Sequence, residues 1–341
     1  MREIELKESR LVFGNCASDL RRLTAGKRYV LIVDEEVWRV FGGRFVEASE
    51  VIRIRGEEVK KDLRTVEKVY RKLVDFGIDR YTYLIGVGGG VVLDIAGFAA
   101  STFMRGVPFG FVPTTLLAQV DASFGGKNGI NFSGIKNLVG TINHPEFILL
   151  DLDFLATLPE KEWGNGIAEI IKHGIVVKKD LFEALERVPI QRFRSRAFLE
   201  RIILDSILAK AEIVRKDVND FGERRKLNFG HTAGHAIEAS YGLSHGQAVA
   251  VGMVIEANLS VQKGFLSFED FLRIKKLLEK FGLPTSSPRL GEEVMRKIGM
   301  DKKREKEFVH MVFIKGIGCS SLERITIGEL REALNGLCEH R

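Results

Sequence analysis

At 341 residues, 45% hydrophobic and 29% charged, the chain has a folded globular balance and the length of two domains, which excludes a disordered tail and a single small binding module. Cys16, Cys319 and Cys338 stand far apart and in no CxxC pair, and the opening Met1-Arg2-Glu3-Ile4-Glu5 has no apolar core, so a disulfide framework, a secretion signal and a membrane span are not expected, and the cytoplasm is. The net charge of +6 fits an acidic small substrate better than nucleic acid, because Lys and Arg alternate with Asp and Glu, as from Glu57 to Arg71, in the manner of solvated helix faces.

In chain order, Tyr29 to Val33 reads as a buried strand, Val51 to Ile54 as a shorter one, Glu57 to Phe76 as an amphipathic helix and Tyr81 to Val87 as a further strand. Such alternation predicts βαβ units on a parallel sheet. Strands follow at Phe109 to Val112 and Phe147 to Leu150, with a long polar, Gly-rich segment between them. From Pro159 onward the apolar period is almost wholly helical, with helices expected at 160–175, 198–217, 229–241, 245–263, 268–281 and 327–335. One late strand is expected at Phe308 to Ile314. The domain boundary falls between Asp151 and Leu158, giving an α/β domain over 1–153 and a mainly helical one over 154–341.

Three constellations carry chemistry. Gly86-Val87-Gly88-Gly89-Gly90-Val91-Val92-Leu93-Asp94 runs from a strand into a helix, where glycines let a backbone approach a pyrophosphate; the same glycines also suit a merely tight turn. Asp34, at a strand end, can accept from a ribose or cap a helix. Within the segment 113–144, Lys127 and Lys136 stand among short neighbours and can reach an anion.

In the helical half, His231 and His235 form an i, i+4 pair, Glu169 and His173 form another, and His245 follows closely, a pattern that predicts a divalent metal site. Lys172, Lys210, Arg224 and the Lys302-Lys303 pair would make a pocket for a substrate with more than one negative charge. His144, His310 and His340 are read as structural, Trp38 and Trp163 as packing.

Thr114-Thr115-Leu-Leu-Ala-Gln-Val-Asp121, Gly125-Gly126-Lys127, Lys136-Asn137-Leu, Ala168-Glu169-Ile-Ile-Lys172, Leu227-Asn228-Phe-Gly-His231-Thr-Ala-Gly-His235-Ala-Ile-Glu and His245-Gly together resemble the 3-dehydroquinate synthases, a family of sugar phosphate cyclases, in order over about residues 28–318. The resemblance implies an N-terminal NAD-binding α/β domain, a helical metal- and substrate-binding domain, and a site in the cleft between them. It implies conversion of 3-deoxy-D-arabino-heptulosonate 7-phosphate to 3-dehydroquinate and phosphate, in the shikimate pathway to aromatic amino acids. Transient oxidation by NAD, phosphate elimination, reduction and an intramolecular aldol closure make up that reaction.

Carried over residue by residue, the metal ligands fall on Glu169, His231 and His245, in place of the His231 and His235 pair that spacing alone selects. The ion would be Zn2+, or Co2+. Substrate-facing groups fall on Asp121, Lys127, Lys172, Lys210, Arg224, Asn228 and His235, with one of Lys302 and Lys303. Cofactor positions fall on Asp34, Glu57, Lys60, Gly89, Gly90, Val91, Val92, Leu93, Asp94, Thr114, Thr115, Lys127, Lys136, Asn137, Phe154, Leu155, Ala156 and Thr157. The chain departs from the family pattern at Phe124, Asn128, Ile135 and Gly164-Asn165-Gly166. A small anionic sugar phosphate is the implied partner, and a homodimer is compatible with it. The rival readings are a metal-dependent alcohol or polyol dehydrogenase of the related fold, and a cyclase acting on another sugar phosphate.

Overall fold

The computed structural model describes residues 2–45, 48, 50–286, 308–326 and 328–329. Two compact units divide the chain, Met1–Leu158 and Pro159–Arg341.

The first unit holds, in chain order, β1 Arg2–Glu5, β2 Arg10–Phe13, α1 Cys16–Leu23, β3 Tyr29–Asp34, α2 Glu35–Phe41, β4 Val51–Ile54, α3 Leu63–Asp75, β5 Tyr83–Gly88, α4 Gly90–Thr102, β6 Phe109–Pro113, β7 Lys127–Phe132, β8 Ile135–Ile142 and β9 Phe147–Leu150. One sheet runs β1-β2-β9-β6-β5-β3-β4. All its pairs are parallel except β1 with β2, which closes one edge antiparallel. Central strands such as Tyr83–Gly88 are buried along their whole length because helices cover both faces. Val66, Val69, Leu73, Ile95 and Ala99, from α3 and α4, belong to one apolar cluster on the sheet; Cys16, Leu20 and Leu23 of α1 belong to another.

The second unit holds α5 Glu160–Val176, α6 Lys179–Arg187, α7 Ile190–Phe193, α8 Arg196–Lys216, α9 His231–Tyr241, α10 His245–Gln262, α11 Phe268–Lys280 and the antiparallel pair β10 Phe308–Gly316 with β11 Cys319–Thr326. α10 is buried almost all round, so its sequence has no polar stripe. The α/β first half and the helical second half are therefore both present as expected. No helix among the described residues is long and apolar enough to cross a membrane.

Two expectations need correcting, and a third is not tested. The helix expected from Glu57 starts at Leu63, because the Asp62 carboxylate accepts from Thr65 N at 2.9 Å and caps it there, leaving 57–62 as a connecting loop. The Gly-rich segment 113–144 is not irregular throughout: it contains the β7–β8 hairpin, masked in the sequence by Asn and Gly at strand positions. The helix expected at 327–335 lies outside the described residues apart from 328–329.

Candidate functional site

The second unit gathers ligands from three helices. Glu169 lies in the middle of α5 and is fully buried, while His231 and His245 are the first residues of α9 and α10. Glu169 Oε1 lies 3.3 Å from His245 Nε2 and 3.6 Å from His231 Nε2. One ligand atom from each of the three falls within 4.8 Å of the others. His235 instead meets the His231 ring edge to face at 5.0 Å between centroids.

Backbone geometry puts those two histidines at helix starts. Gly230 is left-handed at φ +77°, and Gly252 of α10 passes so near that a Cβ there would lie 1.9 Å from the Gly230 carbonyl oxygen. Only glycine at both positions lets the start of α9 lie on α10. Ser244 caps α10, its hydroxyl accepting from Gln247 N while the Gln247 side chain accepts from Ser244 N. Asn165 Oδ1 accepts from Gly246 N at 2.7 Å, which fastens the turn bearing His245 to α5 one turn before Glu169.

The donor set fits a divalent ion. The His231 Nδ1–H donates to the Phe229 carbonyl at 3.2 Å; a carbonyl only accepts, so Nδ1 carries the proton and Nε2 keeps a lone pair toward Glu169. His245 Nδ1 has Glu238 Oε2 at 3.6 Å, the carboxylate behind the imidazole that orients metal-binding histidines. Burial, aided by the Lys172 ammonium, drives the His231 imidazolium pKa well below its ordinary value. Burial also opposes charge on His245, but hydrogen bonds to Glu169 and Glu238 outweigh it and raise its pKa to about 9. One carboxylate oxygen and two imidazole nitrogens suit Zn2+ or Co2+ and leave coordination positions for a substrate oxygen.

Three cationic side chains of this unit are buried among its described residues. Lys172 is 2% exposed and pairs with Glu169 Oε2. Lys210 of α8 and Arg224 are buried too, and Arg224 Nη1 donates to the Val218 carbonyl at 2.9 Å. Asn228 ends the short turn Glu223–Asn228. His173, a ligand in the dehydrogenase reading, is fully buried with Nδ1 2.7 Å from the Ser206 hydroxyl. Lys302 and Lys303 lie outside the described residues.

The first unit carries the positions expected for the cofactor. Gly89 precedes α4 with no side-chain cap, so the first N–H groups of that helix are not claimed by a capping side chain. Asp34 caps α2 through Oδ1, which accepts from Glu36 N at 2.8 Å and Val37 N at 3.3 Å. Its other oxygen stands over Gly56, where a Cβ would be 2.1 Å away, so cap and ribose acceptor can be one carboxylate. Thr114 is buried; Thr115 Oγ1 accepts from Ala118 N at 3.1 Å and starts the π-type turn Ala118–Ala122 that carries Asp121. Lys127 and Lys136 are exposed on the hairpin, as is Asn137, while Glu57 and Lys60 are exposed in the loop before α3. Val92, Leu93, Phe154 and Leu155 point their side chains into the core, and could meet a cofactor only through their backbone. Ala156 and Thr157 are exposed, and Val91 is half-buried.

Family models for the N-terminal and C-terminal parts of 3-dehydroquinate synthase match residues 51–165 and 166–304. The chain belongs to the 3-dehydroquinate synthase family. It is 44% identical to the 3-dehydroquinate synthase of Pelobacter propionicus over 83% of this chain and 79% of the relative, and 43% identical to that of Pyrococcus furiosus over 84% and 85%. Among solved structures it resembles 2-epi-5-epi-valiolone synthase from Streptomyces hygroscopicus subsp. jinggangensis with NAD+ and Zn2+ bound, at 27% identity and a TM-score of 0.86 over 100% of this chain and 99% of the other. A 2-deoxy-scyllo-inosose synthase complexed with carbaglucose-6-phosphate, NAD+ and Co2+ gives 25% identity and a TM-score of 0.87 over 98% and 99%. Glycerol dehydrogenase from Schizosaccharomyces pombe, at 18% identity and a TM-score of 0.63 over 96% and 88%, shares the fold alone. The dehydrogenase alternative is therefore not favoured.

Sequence reasoning passed over Asn165 as an anchor and Glu238 as the carboxylate behind His245. Glu238 lies in the motif from Leu227 to Glu238, seven residues after His231, so its place in that motif was the available signal.

Proposed function

We propose that this chain is a 3-dehydroquinate synthase, converting 3-deoxy-D-arabino-heptulosonate 7-phosphate to 3-dehydroquinate and phosphate. The observation that carries the proposal is the Glu169, His231 and His245 cluster, with its fixed His231 tautomer, in a chain 44% identical to a synthase of that name. When bound, NAD supplies reversible hydride transfer and the divalent ion supplies Lewis acidity at the oxygen whose carbon is oxidised.

The chain's own residues account for the rest. Glu169, His231 and His245 hold the ion, and Glu238 and the Phe229 carbonyl hold the imidazoles in orientation. Lys172, Lys210 and Arg224, buried and cationic, hold the carboxylate and phosphate of the substrate, together with Lys127 and one of Lys302 and Lys303. Asn228 and Asp121 orient hydroxyls, and His235, next to His231, moves a proton at the reacting hydroxyl. Asp34, Glu57, Lys60, the turn from Gly89 to Asp94, Thr114, Thr115, Lys136, Asn137 and the segment from Phe154 to Thr157 bind NAD. The substrate's own phosphate serves as base during elimination, which leaves the protein mainly a positioning task. Cytoplasmic location and a small anionic substrate in place of nucleic acid belong to the same proposal, supported by the buried free thiol of Cys16 and the interleaved surface charges; a homodimer is compatible with it.

Phosphate release from the heptulosonate substrate with NAD and Zn2+ tests the reading. Release is expected with no net rise in absorbance at the NADH band. NADH accumulating in proportion to product would replace the synthase by a dehydrogenase, and turnover of a different sugar phosphate in preference would replace it by another cyclase.

A further inference from the structure

A cavity of about 870 Å3 opens in the second unit, a size that holds small organic ligands. Glu160, Trp163, Gly164 and Ile167 line one wall; at 3.6 residues per turn they share the side of α5 opposite Glu169, so this cavity is not the metal site. Its floor is apolar, because Trp163, Ile167, Phe193 and Leu283 are buried there. Gly242 and Gly282 line it too, and nothing stands within 4 Å of where a Cβ on either would lie, so space is open beside them.

The polar lining is cationic and rich in donors. Arg194 lies over the Trp163 ring at 4.4 Å and donates to Glu160 Oε1 at 2.8 Å, which occupies the one acid of the lining. Lys280 Nζ donates to the carbonyls of Leu185, Glu186 and Val188 at 2.8, 2.8 and 2.6 Å; a carbonyl has no formal charge, so these bonds leave the positive charge uncancelled. Lys161 adds an exposed ammonium. Gln247 supplies a further donor: its Oε1 accepts from Ser244 N at 3.1 Å in the cap of α10, which leaves the amide NH2 for the cavity. Cations and an amide donor over an apolar floor complement a carboxylate carried on an aromatic body.

We propose that this cavity binds a small aryl carboxylate as an effector of the metal site. Ser244 and Gln247 both line it, and their reciprocal cap starts α10 at His245. A carboxylate on the Gln247 amide polarises the bond from Ser244 N to Gln247 Oε1 and steadies the turn that carries His245. Binding of the carboxylate therefore tightens the divalent ion, and by linkage the ion tightens the carboxylate by the same factor. The coupling rests on the functional reading above, which gives His245 to the metal; the binding itself does not.

The test uses the full-length protein with Zn2+, and 3-phenylpropanoate as the probe. Trp38 and Trp163 are the only tryptophans, so in Trp38→Phe the fluorescence reports Trp163 in the cavity floor; a saturable change with a dissociation constant below about 1 mM is expected. Gln247→Glu keeps the acceptor for Ser244 N but turns the donor into an anion, and is expected to weaken the probe at least about tenfold. Lys161→Glu reverses a wall charge without touching the cap, and is expected to weaken it about threefold. In the wild type, saturating probe is expected to lower the Zn2+ dissociation constant, read by chelator competition, about threefold, and Gln247→Glu to remove that shift. No saturable change, undiminished binding in Gln247→Glu, equal binding of the neutral 3-phenylpropanamide, equal displacement by inorganic phosphate, or an unmoved Zn2+ affinity would each overturn the proposal. Failure of the functional reading shows in the wild type without probe, as absence of Zn2+ binding and of phosphate release.

Discussion

The two units prepare for their ligands by opposite means. In the second, charge is buried in advance: Glu169 is fully enclosed, with Lys172 on one oxygen and two imidazoles on the other. In the first, the turn before α4 offers glycines and backbone N–H groups; of the charged residues in that unit Asp34 caps α2, Lys61 pairs with Asp94, and Lys127 and Lys136 are exposed. A metal needs dense, fixed donors, which only rigid helices supply; a dinucleotide needs room and backbone, which a strand-to-helix turn supplies. Changes in the second unit should therefore act through uncompensated charge, and changes in the first through shape.

The largest effect is expected at the ligands. Glu169→Gln should lose the metal and at least about a thousandfold in rate, since a neutral amide beside two imidazoles is a poor ligand. His245→Ala should likewise empty the site, whereas His235→Ala should keep the metal and lose rate, as read by metal content after gel filtration. Metal lost from His235→Ala and retained by His245→Ala would restore the i, i+4 pair as the site.

Next comes Lys172→Met, which keeps the stem and removes the charge. The expected fall in kcat/KM is about 30- to 1000-fold, the equivalent of about 2–4 kcal/mol for a charge-assisted contact. Because Lys172 pairs with the buried Glu169, the metal-free variant should also melt at lower temperature, and added Zn2+ should restore most of that difference. Wild-type turnover with a lowered melting temperature would make Lys172 structural and weaken the contrast between the units.

Smaller effects are expected in the first unit. At Gly88 a Cβ would lie 2.7 Å from Val92 Cβ, so Gly88→Ala should destabilise by about 1–3 kcal/mol and lower NAD affinity, leaving metal content unchanged. Smallest is Asp34→Ala, expected to lower stability by about 1 kcal/mol through the lost α2 cap. A several-fold loss of NAD affinity alongside it would show that the second carboxylate oxygen serves the ribose; stability loss alone would leave Asp34 a cap.

Much of this was legible from residue pattern. The central strands read correctly because strands buried on both faces are runs of β-branched and aromatic residues; α5, α8 and α11 read to within a few residues because their apolar positions recur every 3.6, and α10 because its largely apolar run of 18 residues is too long for a strand. β1 and β2 were missed: β1, Arg-Glu-Ile-Glu at the sheet edge, has one apolar residue and none that is buried, so nothing marked a strand for β2 to pair with. The hairpin was missed because Lys127, Asn128, Lys136 and Asn137 put polar residues where a strand pattern would be sought. Asn128 shows how such a residue still packs: it is 2% exposed, and its Nδ2 donates to the carbonyls of Gly126 and Asn143 at 3.0 and 2.9 Å.

Sequence by itself determined the fold class, the family and the residue types available for metal and anion binding, since these follow from local periodicity and from motifs read in order. Tertiary structure alone decided which groups meet. His231 and His235 are neighbours on one helix face, yet the nitrogen that shares the Glu169 oxygen with His231 comes from His245 on another helix. The close passage of Gly230 and Gly252 and the Asn165 anchor bring it there, and no spacing along the chain records a contact between helices.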